Sequence, residues 1–97
     1  MPIKKAYGYV TRIKNGETQV LVFQHPIREA GIQIPKGTVK LQEDAYQAVI
    51  REMKEETGLE KFCVEKLIAE DFWENANGAI HNRFFYQIRV YLNLIFT

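Results

Sequence analysis

The clearest helix of this chain separates two blocks of extended, turn-punctuated sequence. From Asp44 to Thr57 no proline or glycine interrupts; Asp44 offers an N-cap oxygen and Gly58 a stop. Upstream, Ala6–Ile13 is rich in aromatic and β-branched residues and reads as a strand, and Asn15-Gly16 is a hairpin dipeptide. Thr18–Phe23 then reads as a returning strand, and its apolar run predicts a central place. His25-Pro26 opens a polar loop to Gly31, and Ile32–Ile34 is a short extended piece closed by Pro35 and Gly37. Downstream, Phe62–Trp73 reads as a long irregular strand, Asn77-Gly78 as a second turn, and Ile80–Leu94 as a third extended stretch. The class is α/β in the broad sense, α+β in detail.

At 97 residues the chain reads as a single domain over 1–97. Thirteen basic against 12 acidic residues leave a net charge of +1, which excludes a bulk nucleic-acid or membrane-surface binder. Any handling of nucleotides must rest on a local site. The lone Cys63 excludes an internal disulfide framework and reads as a small apolar strand or core residue. MPIKKAYGYV has no apolar signal core, and no run approaches the ~18 apolar residues of a membrane span. A cytoplasmic location follows by default. The ending LNLIFT places Leu92, Leu94, Ile95 and Phe96 where burial is wanted and nothing follows to cover them. It reads as a domain incomplete at its C-terminal end, or as a last strand buried in the sheet or at a homodimer interface.

The helix carries the chemistry. At about 100° per residue, Ala45, Tyr46, Val49, Ile50 and Met53 form a broad apolar stripe, with Gln47, Arg51 and Lys54 opposite. Glu52, Glu55 and Glu56 gather at the edge of that stripe beside Ala45 and Ala48. Like charges at these spacings repel by a few tenths of a kcal/mol per pair. Anions near a helix C-terminus also oppose the macrodipole. Two local rules broken together mark residues chosen for function. A hard divalent cation compensates such a cluster, and Mg²⁺ binds carboxylate and phosphate oxygens alike. Arg51 is placed to orient a carboxylate through a bidentate pair.

The string GTVKLQEDAYQAVIREMKEETGL, Gly37 to Leu59, fits G-x5-E-x7-R-E-U-x-E-E-x-G-U with Met53 and Leu59 at the bulky apolar positions. A chance match is on the order of 10⁻⁹ per start position. This resembles the Nudix box, the signature of the Nudix hydrolase family, with every box position matched. The resemblance implies an α/β/α sandwich around a mixed β-sheet, cut short here at the C-terminus. It implies a Mg²⁺- or Mn²⁺-dependent pyrophosphohydrolase that cleaves a nucleoside diphosphate linked to another moiety, its partner being a small nucleotide. Carried over, Glu52, Glu55 and Glu56 would be the metal-binding and catalytic carboxylates, Glu52 and Glu56 foremost, and Arg51 their orienting partner. Which glutamate serves as general base stays open. Glu43 would anchor the loop to the helix, Gly37 would permit the loop's tight turn with the Lys36 carbonyl as a further ligand, and Gly58 would end the helix.

The family resemblance also bears on the substrate. Pro35-Lys36-Gly37 resembles the loop of members acting on dinucleoside polyphosphates, where a lysine reaches a phosphate of a longer chain. Gln42 stands where a glycine is frequent, and no substrate follows from that. His25, Arg28, His81 and Arg83 are further candidates for phosphate contacts, Trp73, Phe84 and Tyr86 for stacking a base, and Glu70, Asp71 and Glu74 for an additional metal ligand. The alternatives are a nucleoside triphosphate pyrophosphatase, or a nucleotide-binding Nudix domain without turnover. Domains of the latter kind usually lose box glutamates, and this one retains all three.

Overall fold

The computed structural model describes residues 2–24 and 31–90. Strand β1 (Ile3–Lys14) is the spine. Asn15 and Gly16, both at positive φ (52° and 77°), turn it back into β2 (Glu17–Val20). The short strands β3 (Phe23–Gln24) and β4 (Ile32–Gln33) form a separate two-stranded sheet. β5 (Lys36–Thr38) returns to pair antiparallel with β1, Ala6 opposite Gly37. Helix α1 (Ala45–Thr57) follows, then the long hairpin β6 (Phe62–Glu74) and β7 (Ile80–Val90). The hairpin loop is ordered by Asn75, whose side-chain oxygen accepts from the Asn77 and Ala79 N–H groups, and Gly78 sits at φ 80°. β7 runs parallel to β1, Tyr7 opposite Phe85, and antiparallel to β6, where two register shifts explain the irregular reading of that strand. The main sheet is therefore mixed, in the order β2-β1-β7-β6, with β5 sharing with β2 the edge of β1 that β7 does not occupy.

The expected central strand over Thr18–Phe23 is corrected. β2 ends at Val20, lies at the sheet edge, and leaves Val20 and Val22 about half exposed (45% and 50%). Only Leu21 turns inward against the core, its N–H donating to the Val10 carbonyl. The cause is competition for one edge of β1. The Gly8 N–H donates to the Pro35 carbonyl, and β5 takes the stretch from Tyr7 to Lys5. The returning strand must leave after Leu21.

Asp44 caps α1 with a reciprocal bond to Gln47, and Gly58 ends it in the left-handed conformation at φ 73°, donating to the Lys54 carbonyl. The helix covers one sheet face, packing Ala48, Val49 and Met53 against Ala6, Val10, Ile88 and Val90. The helical-wheel reading shifts by part of a turn: Ala45 and Ala48 are buried, whereas Tyr46 is 46% exposed. Gly8 is the reason. A Cβ there would stand 2.8 Å from Ile88 Cδ1 and 3.5 Å from Val49 Cγ2, so helix and sheet meet through small residues. Gly8→Ala is expected to destabilise the fold by about 1–3 kcal/mol through overpacking, read as a lower denaturant midpoint.

Among the described residues no helix covers the opposite sheet face, and none is long and apolar enough to cross a membrane. The fold is the anticipated α+β arrangement, a helix on a mixed sheet. Cys63 lies on β6 but is exposed rather than part of the core. The expected extension of the last strand to Leu94, the burial of Leu92, Leu94, Ile95 and Phe96, and the candidates His25 and Arg28 lie outside the described residues.

Candidate active site

The site forms where β5 and the loop after it meet the last three turns of α1. Arg51 is the hub. Its Nε and Nη2 donate to the two oxygens of Glu43 at 3.2 and 2.6 Å, a bidentate pair. Nη2 also donates to the Thr38 carbonyl at 2.9 Å, and Nη1 donates to Glu52 Oε1 at 2.6 Å and Glu55 Oε2 at 3.4 Å. Glu43 accepts in addition from the Lys40 N–H at 2.9 Å. One guanidinium thus ties loop, strand end and helix together. The hydrogen bonds from Arg51, then the Lys40 N–H, hold the Glu43 carboxyl down to about 2, and the same bonds raise Arg51 beyond its ordinary range.

Gly37 lies against the Glu52 side chain, and any Cβ at that position would overlap the Glu52 carboxylate. Its φ is not in the left-handed region, so close approach rather than a special turn requires glycine here. Glu56 turns towards β5, where its Oε1 accepts from the Lys36 N–H at 2.8 Å. Burial against the strand is the main influence raising the Glu56 carboxyl. The Lys36 N–H opposes it, and the Glu52 carboxylate, within hydrogen-bonding reach, adds to it. The Lys36 ammonium lies 5.9 Å from the Tyr7 ring centroid, on the sheet face away from α1.

The three glutamates of the strip are therefore not equivalent. Glu52 is the least accessible, against Gly37; Glu56 is exposed but bonded to the Lys36 N–H; Glu55 is exposed and leans on Arg51. Among the described residues no group of three or more His, Cys, Asp or Glu side chains stands ready-made for a metal ion. Two carboxylates held at close range do suit Mg²⁺, which keeps several waters and takes its remaining ligands from phosphates.

The other candidates divide by face. Arg83 donates from Nε and Nη2 to the two Asp71 oxygens at 2.7 and 2.6 Å, so its donor fork is engaged, and Asp71 is lowered by that pairing. Trp73 stands edge-on to His81 at 5.5 Å. Tyr86 packs against the core on the helix side and edge-on to Tyr46 at 6.3 Å, and Phe84 is half-buried, its Cα opposite Ala6. Glu70 and Glu74 lie on exposed parts of β6, away from the helix strip in sequence and sheet position. Sequence reasoning missed the Thr38 carbonyl, the Lys36 N–H, and the pairing of Tyr7 with Phe85. The first two are backbone groups and leave no sequence signal. The Tyr7-x-Tyr9 alternation on β1 was the available signal for the third.

The family model described as NUDIX domain matches residues 4–92. The chain belongs to the Nudix family. No curated protein matches it. Among solved structures, an Ap4A hydrolase from C. elegans is 27% identical with a TM-score of 0.83, matching 100% of this chain and 74% of its own length. A Nudix hydrolase from Nitrosomonas europaea is 22% identical with a TM-score of 0.73, over 95% of this chain and 61% of its own. The M. smegmatis Nudix hydrolase RenU is 17% identical with a TM-score of 0.75, over 97% and 64%. The last two show likeness of fold. The family, with the neighbour of 27% identity, makes this Nudix domain a hydrolase acting on pyrophosphate bonds.

Glu43 gives a direct test of the Arg51 hub. A carboxyl held below its unfolded value adds stability that is present above about pH 4.5 and lost as pH falls towards about 2. Glu43→Gln is expected to remove that dependence, so that wild type and variant converge in melting temperature as pH falls through this window. Parallel melting curves from pH 6 to about pH 2 would contradict it.

Proposed function

We propose that this Nudix domain is a divalent-metal-dependent pyrophosphohydrolase whose substrate is a dinucleoside polyphosphate. The observation that supports this most is the double use of Lys36. Its N–H is bonded to Glu56, while its ammonium extends away over Tyr7. A phosphate chain running from the Glu52–Glu56 pair across the edge of β5 would meet that cation. The neighbour of 27% identity is itself an Ap4A hydrolase, which supports the same substrate class.

Mg²⁺ or Mn²⁺ would be held by Glu52 and Glu56, with Glu55 at the rim and the Lys36 carbonyl as a further oxygen. A divalent ion so bound neutralises phosphate charge and lowers the pKa of a bound water. The chain's own work is positioning. Arg51 fixes Glu52 and ties it to Glu43, so that carboxylate does not have to be ordered when substrate arrives. Gly37 leaves room for Glu52 under the strand. A glutamate of the strip takes the proton of the attacking water as general base. In-line attack at one phosphorus breaks the P–O bridge, and the other phosphate group leaves with the bridging oxygen.

Lys36→Gly tests the substrate class. It is expected to lower kcat/KM for diadenosine tetraphosphate by roughly tenfold or more, and for a nucleoside diphosphate sugar by much less. Equal losses on both substrates would remove the argument for a long phosphate chain.

A further inference from the structure

At one level of the main sheet four residues stand side by side across four strands: Thr38 on β5, Lys5 on β1, Arg83 on β7 and Asp71 on β6. Ala6 packs on the helix side, so its neighbour Lys5 points to the other face. Arg83 and Asp71 satisfy each other through hydrogen bonds of 2.7 and 2.6 Å. Lys5 is left with a neutral partner, its Nζ donating to Thr38 Oγ1 at 2.8 Å. One level along, Lys36 on β5 stands opposite Tyr7 on the same face. Lys5 and Lys36 are therefore diagonal neighbours on adjoining strands, about 7–8 Å apart at the backbone. Both are half-buried, and among the described residues neither ammonium has a carboxylate within ion-pair distance. Two like charges so placed repel, and half-burial limits the screening that water and salt provide. An anion lying between them turns that repulsion into attraction.

Thr38 sets the spacing. Its carbonyl accepts from Arg51 Nη2 at 2.9 Å, while its hydroxyl accepts from Lys5. Beside it the Val39 N–H donates to the Lys4 carbonyl at 2.9 Å. The end of β5 is thus tied to the Arg51 hub and to β1 at once. A hydroxyl that accepts from an ammonium keeps its own proton to donate, and an ammonium with one acceptor keeps its other donors. Lys5 and Thr38 together therefore present donors to an anionic oxygen.

We propose that Lys5, positioned by Thr38, is a second cation on the substrate's phosphate path, beyond Lys36. This rests on the function proposed above. A chain that leaves the Glu52–Glu56 pair over the edge of β5 meets Lys36 first, on the outer strand, and Lys5 next, on β1. Chain length is then read by the number of lysines engaged, one for a short chain and both for a long one.

Calorimetric titration with inorganic triphosphate and with orthophosphate, in metal-free buffer of low ionic strength, reads the two lysines without turnover. Wild type is expected to bind triphosphate at least about tenfold more tightly than orthophosphate. Lys5→Gln should weaken triphosphate roughly tenfold, the loss of one charge-assisted hydrogen bond, and orthophosphate by less than about threefold. Lys5→Arg, which keeps the charge, should bind triphosphate within about threefold of wild type. Lys5→Met, which keeps the apolar stem, replaces Lys5→Gln should that variant fold poorly. With Mg²⁺, Lys5→Gln should raise KM for diadenosine tetraphosphate roughly tenfold, hold kcat within about threefold, and leave a nucleoside diphosphate sugar nearly unchanged. A role confined to holding β5 would lower the melting temperature and leave the ratio of the two phosphate affinities untouched. The proposal is overturned by absence of triphosphate binding, by equal weakening of both phosphates in Lys5→Gln, or by a Lys5→Gln protein that binds triphosphate as wild type does. It is also overturned if Lys5→Arg binds triphosphate as poorly as Lys5→Gln. A Lys5-dependent preference for triphosphate in a protein that hydrolyses no nucleotide with Mg²⁺ would sink the proposed reaction and leave the second cation standing. Hydrolysis of diadenosine tetraphosphate with a KM indifferent to Lys5 would do the reverse.

Discussion

Glu56→Gln is expected to lower kcat by about 10²–10⁴-fold while leaving the metal-free protein at least as stable as wild type. The two halves of this result have one cause. Glu56 stands within reach of Glu52 and is raised by burial and by that neighbour, so its charge is a burden on the empty fold. The amide keeps an oxygen to accept from the Lys36 N–H, so the loop stays docked. On the function proposed above, what is lost is a negative ligand for the metal. Addition of Mg²⁺ should raise the melting temperature of wild type by mass action and leave the variant almost unmoved. A variant showing the full Mg²⁺-dependent rise would place the metal elsewhere.

Arg51→Lys is expected to cost about 10²-fold in kcat/KM and roughly 5–10 °C in melting temperature for a domain of this size. The charge is retained, so a purely electrostatic role would predict little change. Lysine lacks the planar fork that bonds both Glu43 oxygens while also reaching the Thr38 carbonyl, Glu52 and Glu55. Without it the segment carrying Gly37 and Glu43 keeps the Lys36–Glu56 bond and the packing of Val39 but loses its ion pair to the helix, and Glu52 loses its orienting donor. The loss should therefore appear in kcat as well as KM. A change confined to KM would mean that Arg51 only attracts the anionic substrate.

What was legible in the sequence was local. Asp44 and Gly58 signal the helix ends because capping involves neighbours within one turn, and Asn15-Gly16 signals the first hairpin for the same reason. The spacing of Arg51, Glu52, Glu55 and Glu56 was visible because a helix converts spacing into a face. What stayed hidden depends on partners distant in the chain. Thr18–Phe23 is apolar enough for a central strand, but Pro35 and β5 occupy the edge of β1 that it needed. Tyr46 belongs to the apolar stripe by angle, yet Gly8 draws the small side of the helix onto the sheet instead. Alternation along β7 shows that Phe85 and Tyr86 face opposite ways without telling which faces the helix, because register with β1 decides it.

The central claim is that this Nudix domain hydrolyses a nucleoside polyphosphate at the Glu52–Glu56 pair with a divalent ion. Its most direct test is product analysis of the 97-residue chain with diadenosine tetraphosphate, with Mg²⁺ and with EDTA, beside Glu56→Gln. The account predicts two nucleotide products in Mg²⁺, none in EDTA, and at most about a hundredth of the wild-type rate from Glu56→Gln. Cleavage that persists in EDTA, or that Glu56→Gln carries out at the wild-type rate, would contradict it.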